Sequence, residues 1–151
     1  MLPFWGMGEV TGFSQATVLG EECEFCHIRP LRLDHPIRFP QAELSTMGIR
    51  PLLSGRQMTE IVFLSSGETA ASQEPGSQDY EEWVSLLRSG RPGARAFILR
   101  QMAQSVSIGR RLRPRENELR LTIRQNFRDE IRAVFRCSRQ QAAALARKAL
   151  A

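Results

Sequence analysis

Cys23-Glu24-Phe25-Cys26-His27 is the one run in this chain whose residue types and spacing match a known covalent chemistry. Two cysteines separated by two residues and followed by histidine can hold haem c through two thioethers, with the imidazole as axial ligand. Met47 or Met58 is available for the opposite side. Cys23, Cys26, His27 and His35 are all N or S donors, so the same residues are a chemically allowed zinc set. Haem attachment belongs outside the cytosol. The opening MLPFWGMGEV has neither the basic nor the long apolar region of an export signal, so the sequence reads as cytoplasmic. Three cysteines make no disulfide framework and suit a reducing compartment.

Cys23 and Cys26 followed by Asp34-His35 resemble the opening of an HNH nuclease, in which a histidine activates water beside a metal. Such a site needs a later histidine, and none follows His35. There is no phosphate-binding glycine loop, no nucleophile with a placed histidine, and no clear carboxylate pair. The sequence is therefore read as non-catalytic.

Charge is the stronger signal. Of the 21 basic residues all but Lys148 are arginine, and arginine presents a planar fork suited to carboxylates and phosphates. Residues 1–87 hold 5 basic and 12 acidic side chains, whereas residues 88–151 hold 16 basic and 4 acidic. This split points to an acidic partner for the C-terminal half, protein or nucleic acid.

The elements that must position these groups read as follows. Glycines and prolines punctuate residues 1–57 too often for a long helix, so they are expected to form an irregular, extended N-terminal arm with short extended pieces at Ala16–Leu19 and Ile28–Leu33. Residues 58–66 are compact and apolar, a strand or a short helix. Residues 66–78 read as a polar linker, and Asp79 as a helix cap. Tyr80, Trp83, Val84 and Leu87 mark one helical face. Gly90 stops that helix and Pro92 opens a second, carrying Ala94, Phe97, Ile98 and Met102. A third helix begins near Arg115–Glu118, with Leu119, Ile123, Phe127, Ile131 and Phe135 as its buried stripe. Arg120, Arg124, Arg128, Arg132 and Arg136 run beside that stripe. Ser138 with Gln141 forms a capping box for a last, alanine-rich helix. The expected fold class is mainly α: a small helical bundle over 58–151 behind the arm of 1–57.

Ser85-Leu86-Leu87-Arg88-Ser89-Gly90, then Phe97, Ile98, Arg100, Met102, Ala103 and Ser105, resemble the turn and second helix of the phycobilisome linker-polypeptide domain. Arg110, Arg111, Leu112, Pro114, Arg120, Ile123, Asn126, Phe127 and Arg128 continue the likeness in order and spacing. Tyr80–Leu112 also resembles the first helices of phycobiliproteins, with Arg95-Ala96 after the Ser-Gly turn. The resemblance implies a scaffold that joins acidic phycobiliprotein discs (allophycocyanin or phycocyanin) and other linkers at the cytoplasmic face of a photosynthetic membrane. The bilins would be the partners' cofactors. The expected interface residues are the aromatics Trp5, Phe13, Trp83 and Phe97 with Arg110, Arg111 and the arginine ladder. The alternative is a helical nucleic-acid-binding protein in which the same arginines track phosphates.

Overall fold

Residues 8–30 mix β-branched, small and polar side chains on either side of Leu19-Gly20, and the chain reverses at that pair. The computed structural model describes residues 1–64 and 80–150. In it β1 (Gly8–Val18) and β2 (Glu21–Pro30) form a long antiparallel hairpin, and β3 (Ile37–Pro40) pairs with the other side of β2. The order β1-β2-β3 leaves β1 at the edge. The two turn residues have φ of 54° at Leu19 and 88° at Gly20, the left-handed pair that a two-residue hairpin turn demands. Leucine is strained there, and its side chain is fully exposed. Leu19→Asn is expected to stabilise the protein by up to about 1 kcal/mol, because asparagine tolerates this backbone. A raised urea midpoint would show it.

This hairpin corrects the expected fold class. The chain is mixed α/β, with a three-stranded antiparallel sheet where an irregular arm was expected. The punctuating residues exclude helix but not strand. Gly20 makes the turn, Gly12 adjoins the bulge that leaves Thr11 unpaired, and Pro30 and Pro40 end β2 and β3. The even-numbered face of β2 carries Cys26 and Ile28 into a small core with Leu2 and Phe39.

A single-turn 3-10 segment, Gln41–Glu43, and a coil lead to the helices. Ser54 and Gln57 cap α1 (Gly55–Thr59) reciprocally, and the chain continues into a π-helical turn, Glu60–Leu64. The apolar run at 58–64 is thus helical, and the boundary expected at 57/58 falls inside α1. The linker expected at 66–78 and the cap at Asp79 lie outside the described residues. α2 (Tyr80–Arg88), α3 (Ala94–Ser107), α4 (Pro114–Phe135) and α5 (Arg139–Leu150) follow. Leu119, Ile123, Phe127 and Ile131 are buried as the periodicity requires. They meet Trp83, Ile98, Met102 and the alanines of α5 in the larger core. The Ser138 box is present: its N–H donates to Gln141 Oε1 at 2.9 Å, and its Oγ accepts the Gln141 N–H at 3.2 Å.

The two cores stay separate, and polar contacts hold the sheet to the helices. Glu130 of α4 is 1% exposed. Its carboxylate accepts both Arg50 Nη atoms, at 2.7 and 3.0 Å, and the Leu53 N–H at 3.3 Å; Arg95 Nη1 lies 3.6 Å away. Arg95 also donates to the Leu2 carbonyl at 3.0 Å, Asn126 Nδ2 to the Phe4 carbonyl at 3.0 Å, and Arg32 to Asp129 at 2.6 Å. Burial pushes the Arg95 pKa down to about 10, opposed by the charge of Glu130 and aided by that of Arg50.

Candidate nucleic-acid interface

Residues at every fourth position drift by about 40° per step; the apolar row stays buried over the three steps from Leu119 to Ile131 and is only half-buried at Phe135, while the arginine row runs four steps and beyond the helix end. The five arginines therefore separate. Arg120 donates to Asn117 Oδ1 at 2.8 Å, along its own helix. Arg136 lies beyond the last turn of α4, as its left-handed C-cap with φ 49°. Arg132 and Arg136 border a shallow groove with Met7, Asp129 and Cys137. Arg124 and Arg128 remain together, and α5 brings Arg147 to them. The Arg128 pKa is held below its ordinary value, first by burial and then by the charges of Arg124 and Arg147. The Arg128 Nε is buried without a hydrogen-bond acceptor. Among the described residues none of Arg111, Arg124, Arg128, Arg132, Arg136 and Arg147 has a carboxylate within ion-pair reach. Arg128 thus lies beside Arg124 and Arg147, and the three together form a basic patch without an internal counter-charge among the described residues.

Arg147 was not among the expected interface residues, since nothing in sequence separation ties residue 147 to residue 124. The only available signal was the helical period of α5: Ala142, Ala146 and Ala149 are buried, which leaves Arg147 exposed. Arg111 is exposed, as expected. Arg110 is engaged within the chain. It bonds Glu116 at 2.6 Å and lies over the Trp83 ring at 5.8 Å, tying the α3–α4 connection to the start of α4. There the Arg113 N–H donates to the second Glu116 oxygen at 2.7 Å.

Two of the expected aromatic anchors face inward. Trp83 is 1% exposed in the larger core, and Phe97 packs against that core. Phe13 and Trp5 are on the surface, 65% and 45% exposed, and both belong to the sheet side of the molecule. The helical body has no exposed Trp or Tyr among its described residues. Its Tyr80 is half-buried with Arg115 over the ring at 4.8 Å, and exposed Phe63 has Lys148 over it at 4.4 Å.

The Cys-Glu-Phe-Cys-His run lies within β2, where alternate residues point to opposite faces. Cys26 enters the small core, where burial pushes its thiol pKa up. Cys23 and His27 lie on the other face, and His27 Nε2 is hydrogen-bonded with Ser14 Oγ at 2.7 Å. The pleat thus splits the donors expected to share haem c or zinc. His35 is in the loop before β3, and no group of three or more metal-ligating side chains converges among the described residues. No helix among them is long and apolar enough to cross a membrane.

Neither a family model nor a curated protein matches this chain.

Proposed function

We propose that this protein is a non-catalytic nucleic-acid-binding protein whose helical body grips the phosphate backbone of a duplex. The observation that carries the reading is Arg128, half-buried beside Arg124 and Arg147, with none of the three holding an ion-pair partner among the described residues. Arginine forks match phosphate oxygens, and a rigid pair of packed helices presents them at fixed spacing. Single-strand binders rely on exposed aromatic platforms for the bases. Beside the arginines the exposed ring is that of Phe63, and it is covered by Lys148 at 4.4 Å, which favours a duplex read through its backbone. Residues 1–53 are close to neutral, with 6 acidic and 4 basic side chains, but the hairpin end, with Glu21, Glu22, Glu24 and Glu43 exposed, is acidic, so it is repelled by the same polyanion and left free for a protein partner.

The test is fluorescence anisotropy with a labelled 30-base-pair duplex across a salt series. The expected log–log plot is linear and negative in slope. Substituting Arg124, Arg128 and Arg147 together by Gln is expected to weaken binding about 100-fold at physiological salt and to reduce the slope by about 3, since each phosphate contact contributes about 0.9. Absence of binding at 50 mM salt would overturn the proposal.

The linker reading uses the same arginines toward an acidic protein surface. The Ser89-Gly90 turn on which its resemblance rests does join two helices here, with Gly90 at φ 63°. A co-purifying blue or violet phycobiliprotein, together with failure to bind the duplex, would favour it.

A further inference from the structure

The sheet and the helical body are two modules whose cores do not merge. The apolar contact between them centres on Phe4, which packs against the larger core; no strand packs broadly on any α-helix. Polar or small contacts between modules give way to relative motion unless something specific holds them. Here the grips converge on one turn of α4. Asn126 holds the Phe4 carbonyl, Asp129 holds Arg32, and Glu130 holds Arg50 and the Leu53 N–H. Arg95, from α3, reaches across the same seam to the Leu2 carbonyl and to Glu130. Away from this turn, Gly48 and Gly90 touch backbone to backbone: a Cβ on Gly48 would lie 2.2 Å from the Arg88 carbonyl oxygen. Beside it the side-chain contact is the Arg88 guanidinium over the Phe4 ring at 5.9 Å, a stacked contact that resists rotation only weakly.

We infer that the Asn126–Glu130 turn of α4 is a latch that fixes the sheet module against the helical body, with the Gly48–Gly90 contact as pivot. Released, the sheet module swings while both modules stay folded. The latch therefore sets the angle between the hairpin and the arginine cluster. This inference does not depend on what that cluster binds.

Residual dipolar couplings measured on the full chain in a weakly aligning medium test it. In the native protein one alignment tensor is expected to fit the amides of the sheet and of α2–α5 together. In Glu130→Gln the two sets are expected to need separate tensors, with native amide dispersion kept in both modules. A folded Glu130→Gln protein that still fits one tensor would overturn the latch. If that variant does not fold, Asn126→Ala combined with Asp129→Ala releases two grips without leaving a buried charge unpaired, since Arg32 is half exposed. Two tensors in that variant uphold the latch, and one tensor rejects it.

Discussion

Glu130→Gln is expected to cost about 3–5 kcal/mol, the penalty for removing one partner of a buried ion pair. In a chain of this size that lowers the thermal midpoint by about 10 °C. The carboxylate is 1% exposed and the Arg50 and Arg95 side chains are 14% and 9% exposed, so water cannot take over. Glutamine keeps the shape and can still accept from the Leu53 N–H, but it leaves two guanidinium groups facing each other across the seam. Burial already depresses the Arg95 pKa, and losing the neighbouring anion removes the one contribution that raises it. Changing Arg50 to Met and Glu130 to Leu together should recover part of the loss, because an apolar pair of similar volume avoids desolvation of that pair. Calorimetry on the single and double variants measures the difference. A Glu130→Gln midpoint within 2 °C of the native one would show that the seam does not depend on this charge.

Gly48→Ala is the second large effect. Gly48 has φ 71°, and an added Cβ would sit 2.2 Å from the Arg88 carbonyl oxygen and 2.7 Å from its carbon. Backbone cannot step aside as a flexible side chain does. The left-handed conformation costs about 1–3 kcal/mol, and the overlap adds about 1–3 kcal/mol. Gly55→Ala is the control. It opens α1, has no positive φ, and meets nothing within 4 Å. Urea unfolding should show a lower midpoint with unchanged slope for Gly48→Ala, and no loss for Gly55→Ala.

The helical half was legible because its signals are local. The Leu119 to Ile131 stripe, the Ser-Gly turn and the Ser138–Gln141 box each lie within a few residues, and each is found where the pattern places it. The sheet was not legible for two reasons. Its turn uses Leu-Gly rather than the Asn-Gly that announces a left-handed pair. Its strands are mostly exposed, so β1 shows no clear alternation of apolar and polar. The seam was readable in part. Asn126 and Glu130 are polar residues next to Phe127 and Ile131 on the buried side of α4, and polar groups at such positions must find partners. Which partners they find, Phe4, Arg50 and Arg95, depends on pairings 35 to 122 residues apart that no local pattern encodes. The ladder was over-read for a local reason: the helical drift of about 40° per step and the helix end at Phe135 separate Arg120 and Arg136 from the middle of the row.

Between Gly12 and Val18 the outer side of β1 bears no charge, no proline and no irregularity, and no other strand lies along it among the described residues. Proteins ordinarily blunt such a margin with lysine or a kink. Left bare, its N–H and C=O groups can be continued by the main chain of another polypeptide, turning three strands into four without disturbing the existing pairs. Apart from the proposed phosphate grip of its helices, the molecule thus keeps one sheet margin open to annealing with extended protein backbone.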